Sequence, residues 1–322
     1  MKKIILLFSL TLFPLLTKAD DFPVTVQSCG TPVTFTAPPQ RAVINDLNMA
    51  EMAFALHLQP TIVGLTGISG WYKMTPSFKT AMGQIPELAP KYPPLETLVA
   101  AKPDFFFAGW NYGMKVGGDV TPASLSRYGI KTLVLSESCV FTAAVKQKAT
   151  MELLYGDQLT LGKIFGKKQQ AEQLIQRWKT ELAQLPQPPA GSEPLKVFVY
   201  DSGEDKPFTS GKFAMPNAII EAAGAKNILE DLPISWGTTS WESVAERDPD
   251  VIILLDYQSG SGAESIRHFL EQHPLMKLTR AVKQQRYIKL RYEELTPGPA
   301  NINAIEKLAH YMYMQKPGNE KS

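Results

Sequence analysis

Aromatic and polar residues follow the predicted strands of this chain, at the points where each strand ends. In two-lobed α/β proteins, loops at the carboxyl ends of strands converge on small-molecule sites. An aromatic ring in such a loop can stack on a flat or conjugated molecule, and each ring pair contributes about 0.5–1.5 kcal/mol. The candidate ligand-binding residues chosen in this way are Trp71, Tyr72, Trp110, Tyr112, Ser202, Trp236, Tyr257, Arg291 and Tyr292.

The charged member of this set is Arg291, whose guanidinium can pair with a carboxylate or with a negatively charged metal chelate. The alternative for the aromatic members is that some of them pack against the surface of their own lobe. Two other tryptophans are predicted to be core residues. Trp178 falls on the apolar face of a long predicted helix, and Trp241 begins a helix beside the apolar Val244.

Cys29 and Cys139 are the two cysteines of the chain and lie far apart in it. In an oxidising compartment, an isolated pair favours a disulfide over a metal site. We therefore predict a Cys29–Cys139 disulfide. The alternative is two separate buried thiols.

The N-terminus has the three-part pattern of a secretory signal peptide. Lys2 and Lys3 precede an apolar run over residues 4–16, and small residues precede a cleavage point after Ala19. The run is shorter than the roughly 20 residues of a transmembrane helix. We predict a signal peptide over residues 1–19 and a periplasmic mature protein, with an N-terminal core helix as the alternative.

The charge balance argues against nucleic-acid binding. The chain has 322 residues and a formal net charge of +2. Loss of residues 1–19 removes three lysines and no acid, which leaves a net charge of −1. Nucleic-acid binding requires a concentrated basic face, and a near-neutral chain with interspersed signs does not provide one.

Short apolar strands alternate with helices, which predicts an α/β fold with parallel sheets flanked by helices on both faces. We expect an N-terminal lobe over residues 20–160, an inter-lobe helix within 161–186 and a C-terminal lobe over 187–322. The helix is predicted at about residues 167–185, a stretch without proline or glycine, so it should be rigid.

An internal repeat supports two lobes of similar topology. Residues 95–107 resemble residues 241–253, and each segment is predicted to form a helix, a Pro-Asp turn and a buried strand. The matching positions lie 146 residues apart and include Glu96 with Glu242, Pro103 with Pro249, and Asp104 with Asp250.

Enzyme and metal-receptor functions are not favoured by the motifs. The sequence has no Gly-x-Ser-x-Gly elbow, Walker loop or zinc-hydrolase motif. A receptor for bare Zn²⁺ or Mn²⁺ needs several converging His and carboxylate ligands. The four histidines are instead scattered over predicted helices: His57, His268, His273 and His310. We expect a binding protein that is not an enzyme and has no resident cofactor or metal.

Several segments, in their order and spacing, resemble one protein family. They are residues 37–43, 50–52, 96–107, 161–166, 216–228, 240–256 and 297–299. The chain resembles the iron-siderophore and cobalamin periplasmic binding proteins of ABC importers over nearly its whole mature length. This resemblance implies two Rossmann-like lobes joined by one long rigid helix, with the ligand cleft between them. It also implies an inner-membrane permease dimer with its ATPase as the partner of a monomeric receptor.

The resemblance further implies that Glu51 and Glu221 lie on the two lobe tips and dock the permease. One departure is Ala300, which follows Gly298-Pro299 where an arginine is expected in many relatives. The expected ligand is a ferric-siderophore-type iron chelate. Cobalamin and haem are alternatives, with Tyr72 or Tyr112 as the tyrosine that binds haem iron. A two-lobed chelatase-like enzyme is the alternative of another class.

Overall fold

Two parallel sheets flanked by helices form the two lobes of the protein. The structure is a computed structural model that describes residues 22–70, 74–256 and 262–314. The predicted signal peptide over residues 1–19 therefore lies outside the described residues. None of the helices in the described ranges has the length and apolar character of a membrane span.

The first lobe contains a parallel sheet of six strands, five of which lie in the order β5-β4-β3-β6-β7. β7 pairs with residues 109–110 of β6, and the sixth strand, β8, pairs with residues 105–108 of β6. A separate antiparallel hairpin, β1–β2, precedes it. The strands are β1 Val24–Ser28, β2 Thr31–Phe35, β3 Ala42–Asn45, β4 Ile62–Thr66, β5 Glu87–Ala89, β6 Phe105–Trp110, β7 Gly113–Met114 and β8 Lys131–Val134. The helices are α1 Leu47–Phe54, α2 Pro76–Met82, α3 Leu95–Ala101 and α4 Pro122–Ser126, followed by a 3₁₀ helix at Ser136–Phe141.

The inter-lobe segment contains α6 Lys168–Ala183, which matches the helix predicted at about residues 167–185. A second helix, α5 Met151–Ile164, precedes it and packs against it, and this helix was not predicted. The chain reverses at Gly166, whose φ of 65° is in the left-handed region that glycine readily adopts. Trp178 of α6 stacks on Tyr155 of α5 at 6.4 Å between ring centroids, which confirms Trp178 as a core residue.

The second lobe is built on a parallel sheet in the order β11-β9-β13-β14, and it also has an antiparallel pair, β10–β12. The strands are β9 Lys196–Tyr200, β10 Phe208–Ser210, β11 Lys226–Asn227, β12 Trp236–Thr238, β13 Val251–Asp256 and β14 Tyr287–Arg291. The helices are α7 Met215–Ala222, α8 Trp241–Arg247, α9 Gly262–Gln272, α10 Arg280–Lys283, α11 Tyr292–Leu295 and α12 Ala300–Tyr313.

The internal repeat of the sequence is confirmed as a repeated helix–turn–strand unit. α3 and β6 have the same lengths and spacing as α8 and β13. In each copy the aspartate of the Pro-Asp turn accepts a hydrogen bond from the amino end of a neighbouring strand. Asp104 accepts from the N–H of Arg41 at 2.9 Å, and Asp250 accepts from the N–H of Lys196 at 2.8 Å. The motif therefore fixes the start of the central strands in both lobes.

The predicted disulfide is present between Cys29 and Cys139. It ties the turn of the β1–β2 hairpin to the 3₁₀ helix that follows β8. The hairpin is also held by Ser28, whose Oγ accepts a 2.9 Å hydrogen bond from the N–H of Val134. The N-terminal hairpin is thus fastened to the first lobe covalently and through the backbone of β8.

Candidate functional site

A cavity of about 450 Å³ lies between the lobes, within the usual size range of small-molecule sites. Residues of both lobes form its wall, and most of them follow the carboxyl ends of strands. The lining residues are Tyr92, Asn111, Tyr112, Phe141, Asp201, Phe208, Trp236, Leu255, Tyr292, Leu295 and Thr296. Six of these side chains are aromatic, so the wall offers several faces for stacking or apolar contact.

A tight turn after β6 places Tyr112 in the wall. The backbone N–H groups and carbonyls of Gly109 and Tyr112 are hydrogen-bonded to each other at 2.7 and 3.0 Å. Asn111 within this turn has a φ of 62°, a left-handed conformation that asparagine adopts more readily than most residues. The turn directly follows the buried part of β6 and places the Tyr112 ring in the wall of the cavity.

Glu137 connects the Tyr112 ring to the second lobe. Its Oε2 accepts a 2.9 Å hydrogen bond from the Tyr112 hydroxyl, and its Oε1 accepts one from the backbone N–H of Met215. Burial raises the pKa of Glu137 to about 7, although both hydrogen bonds act in the opposite direction. A buried carboxyl group therefore holds a cavity-lining ring through contacts with both lobes.

A second phenol–carboxyl pair crosses between the lobes at Tyr292. Its hydroxyl donates to Oδ2 of Asp46 at 3.0 Å, and Asp46 also caps the start of α1 by accepting from the N–H of Leu47. Burial raises the pKa of Asp46 to about 7. Nearby, the side-chain amide of Asn48 donates to the carbonyl of Pro297 at 2.7 Å. The start of α1 is thereby fastened to the second lobe.

The β10–β12 hairpin supplies the third part of the wall. Trp236 of β12 stacks on Phe208 of β10, with ring centroids 6.2 Å apart and planes inclined by 15°. In the antiparallel register Ser210 pairs with Trp236 and Phe208 pairs with Thr238. Phe208 and Trp236 are therefore diagonal neighbours on the same face of the hairpin. Trp236 is only partly buried, so part of its ring remains available to a ligand.

The structure brings three of the predicted ligand-binding residues to the cavity, namely Tyr112, Trp236 and Tyr292. Ser202 is exposed next to the wall and donates to Oδ1 of Asp201 at 2.6 Å. Trp110 does not line the cavity, because its side chain packs on the core beside β6. The other three predicted residues lie outside the described residues: Trp71, Tyr72 and Tyr257.

The prediction that Arg291 faces the ligand is not supported by its position. Its Nε donates to Oε1 of Glu293 at 2.5 Å, and its guanidinium lies 3.6 Å from Oε1 of Glu294. Both glutamates are buried, and Lys307 also pairs with Glu294. The guanidinium is therefore engaged at the inter-lobe contact, away from the lining residues of the cavity.

Glu51, the other predicted docking residue, is only partly exposed in α1. The side chain is partly buried beside Arg291, Glu293 and Glu294, and its Oε2 is fully buried without a hydrogen-bond partner among the described residues. Burial raises its pKa to about 8, with the nearby Glu293 as the next cause. We call Glu51, Arg291, Glu293, Glu294 and Lys307 the inter-lobe charge cluster.

Glu221 is placed differently from Glu51. It lies near the end of α7 and forms an ion pair with Lys148, and its side chain remains 34% exposed. This exposure leaves the carboxylate accessible to a partner. A docking role therefore stays a prediction for Glu221 and for Glu51, of which Glu221 is the less buried.

Three aromatic residues of the wall were not predicted from the sequence: Tyr92, Phe141 and Phe208. Tyr92 follows β5, a three-residue strand too short to recognise from its alternation pattern. Its hydroxyl donates to the carbonyl of Asn111, which links two loops of the first lobe. The same rule that identified Tyr112 would have identified Tyr92 if β5 had been recognised.

The described part of the chain contains no group of three or more His, Cys, Asp or Glu side chains positioned to hold a metal ion. His273, for example, packs against Trp241 with ring centroids 4.7 Å apart. Trp241 itself is buried and donates its indole N–H to the carbonyl of Glu204 at 2.7 Å, as expected for a core residue.

Comparisons with known proteins agree with this architecture. Two proteins named vitamin B12-binding protein, from Pectobacterium carotovorum and Pectobacterium atrosepticum, are each 26% identical over 68% of this chain and 72% of their own length. A periplasmic binding protein from Veillonella parvula has a similar structure, with a TM-score of 0.77, 24% identity and coverage of 91% of this chain and 98% of its own.

A second similar structure is that of an ABC-type Fe³⁺-hydroxamate transport system from Saccharomonospora viridis. Its TM-score is 0.75 at 21% identity, and the match covers 91% of this chain and 99% of the other. At such identities the likeness shows a shared fold. The family model for periplasmic binding proteins matches residues 43–293, which is most of the chain. The protein therefore belongs to the periplasmic binding protein family.

Proposed function

We propose that this protein is the ligand receptor of an ABC importer, and that it delivers a ferric-siderophore-type chelate to an inner-membrane permease. The observation that carries the proposal is the aromatic cavity whose wall is shared by both lobes. A ligand held in this way contacts both lobes at once and can stabilise their arrangement for docking. The similarity in fold to a structure of Fe³⁺-hydroxamate transport supports this ligand class.

A corrinoid is the second candidate ligand. The specific support is that two relatives at 26% identity are named vitamin B12-binding proteins. A corrinoid is larger than the cavity of about 450 Å³, so the lobes would enclose one face of it. A compact ferric chelate would instead be enclosed more completely.

The proposal is tested with protein purified from the periplasm. An absorbance spectrum and mass spectrometry of the bound material should reveal a ferric chelate or a corrinoid. Titration of ligand-free protein with a ferric trihydroxamate and with cyanocobalamin, followed by tryptophan fluorescence, should give saturable binding of at least one. If neither these compounds nor haem binds, and nothing co-purifies, the receptor proposal is wrong.

Trp236→Ala is expected to weaken ligand binding by about tenfold or more, because it removes a partly exposed ring that stacks in the wall of the cavity. Trp110→Phe is the matched control, since Trp110 was an equal candidate from sequence but packs away from the cavity. Isothermal titration calorimetry of both variants gives the two dissociation constants. Equal effects of the two substitutions would contradict the assignment of the cavity as the ligand site.

Glu221→Ala is expected to leave ligand affinity nearly unchanged and to impair uptake. The carboxylate is partly exposed, and such rim charges chiefly set the orientation and rate of docking. Glu230→Ala is the control, because Glu230 is a second glutamate of the same lobe with a similar exposure and an ion pair to Lys226. Uptake of radiolabelled ligand by cells and affinity of the purified variants are measured in parallel. Equal loss of uptake in both variants would argue against docking through Glu221.

A further inference from the structure

One helix in each lobe begins at a buried carboxyl group. The N–H of Leu47, the first residue of α1, donates to Oδ1 of Asp46 at 2.8 Å. The N–H of Met215, the first residue of α7, donates to Oε1 of Glu137. The first N–H groups of a helix have no acceptor within the helix, and a carboxylate there also interacts favourably with the helix dipole. The residue before α7 is Ala214, whose methyl group cannot accept a hydrogen bond, so the carboxyl group of α7 comes from the first lobe.

The second oxygen of each carboxyl group accepts from a tyrosine of the cavity wall. Oδ2 of Asp46 accepts from the Tyr292 hydroxyl at 3.0 Å, and Oε2 of Glu137 accepts from the Tyr112 hydroxyl at 2.9 Å. Both connections cross between the lobes, because Tyr292 of the second lobe reaches α1 and Tyr112 of the first lobe reaches α7. We call Tyr292, Asp46 and Leu47 the α1 relay, and Tyr112, Glu137 and Met215 the α7 relay.

Burial of the two carboxyl groups makes the links of each relay depend on one another. Asp46 and Glu137 are each only 2% exposed, so water does not readily replace a hydrogen bond that they lose. A buried carboxyl oxygen that is left without a partner is costly. A displaced phenol should therefore take its carboxyl group with it, and a displaced carboxyl group removes an acceptor from the start of a helix. The three groups of a relay are expected to keep or lose their arrangement together.

The helices at the far ends of the relays carry the two predicted docking residues. Glu51 lies on α1 and Glu221 lies near the end of α7, and each helix is only eight residues long. On the basis of the receptor function proposed above, we propose that the two relays transmit occupation of the cavity to these helices. A ligand packed on the wall favours the arrangement in which the Tyr112 and Tyr292 rings form it, and so stabilises the first turns of α7 and α1.

Hydrogen exchange of the backbone amides with and without ligand tests the proposal. The probe is the compound that binds among a ferric trihydroxamate, cyanocobalamin and haem, and it is used at saturation as judged by tryptophan fluorescence. We expect the probe to slow exchange in the first turns of α1 and α7 at least about fivefold. Helix α6 belongs to neither relay and serves as the internal reference, where exchange should change by less than about twofold.

Tyr112→Phe and Tyr292→Phe distinguish the two relays, because each keeps a ring in the wall and removes one hydroxyl group. Tyr112→Phe should reduce the effect of the probe on α7 to within about twofold and keep the effect on α1. Tyr292→Phe should do the opposite, so each variant is the matched control of the other. A hydroxyl group that only supports the fold would change exchange equally with and without the probe. An undiminished effect of the probe on α7 in Tyr112→Phe and on α1 in Tyr292→Phe would overturn the proposal.

The outcomes separate the relays from the receptor function. A probe that binds but leaves exchange in α1 and α7 unchanged would overturn the relays and leave the receptor function in place. Equal loss of the effect in both helices in each variant would also overturn them, because it would show that the two paths are not separate. Failure of all three compounds to bind, with nothing co-purified, would overturn the receptor function, and the relays with it.

Discussion

Replacing Glu51 with glutamine is expected to make the protein about 3 kcal/mol more stable near pH 8 and to change its stability little near pH 5. Burial beside Glu293 raises the pKa of Glu51 from 4.5 to about 8 in the folded protein. Between these two values the folded state keeps a proton that the unfolded state has already lost. The stability contributed by this group is therefore full below about pH 4.5 and is lost as the pH rises toward 8.

Glutamine has the shape of protonated glutamate and cannot ionise, so the variant should escape this loss. The measurement is the free energy of unfolding from denaturant titrations of both proteins at several pH values between 5 and 8. Glu96→Gln makes the same chemical change at an exposed position of α3 and serves as the control. If Glu51→Gln and the original protein lose the same free energy over this range, Glu51 is not held in a desolvated state.

The position of Glu51 also has a consequence for the lobes. It belongs to α1 of the first lobe, while Arg291, Glu293 and Glu294 belong to the second. Deprotonation of Glu51 would add a third negative charge to a cluster that contains two cations, Arg291 and Lys307. Rising pH should therefore weaken the contact between α1 and the second lobe as well as lowering overall stability.

The features that the sequence predicted correctly are those set by neighbouring residues. The repeated unit of α3 and β6 could be recognised because its Pro-Asp turn and apolar strand stand within 13 residues of one another, and the same pattern recurs in α8 and β13. Tyr112, Trp236 and Tyr292 could be placed near the cavity because each lies at or near a recognisable strand or turn, and their contact with a ligand stays a prediction. Local pattern was sufficient in these cases.

The features that the sequence did not predict depend on contacts between distant parts of the chain. The local sequence around Glu51 gives no sign that it is buried. Its burial depends on contacts with residues about 240 positions later in the chain. Arg291 was expected to face the ligand because it follows a predicted strand. The short helix α11 instead brings Glu293 and Glu294 next to its guanidinium. The helix α6 matches the one predicted at about residues 167–185, whereas α5, which packs against it, was not predicted.

Removing the Cys29–Cys139 disulfide is expected to lower the free energy of unfolding by about 4 kcal/mol without abolishing the fold. The bond closes a loop of 110 residues, and cross-linking so long a loop strongly restricts the unfolded chain. The folded hairpin keeps other attachments, because Ser28 still bonds to the backbone of Val134 and Lys131 still donates to the carbonyl of Thr34.

The bond should also matter for ligand binding, because Cys139 belongs to the 3₁₀ helix that carries Glu137 and Phe141. Phe141 lines the cavity and Glu137 holds Tyr112, so loosening this helix should weaken ligand affinity as well as stability.

Guanidinium denaturation and ligand titration of a Cys29→Ala/Cys139→Ala variant measure the two effects. Reductant should lower the midpoint of the original protein and leave that of the variant unchanged. A variant with the original midpoint would show that the bond does not restrain the unfolded chain, and original affinity in a destabilised variant would show that the helix keeps its position without it.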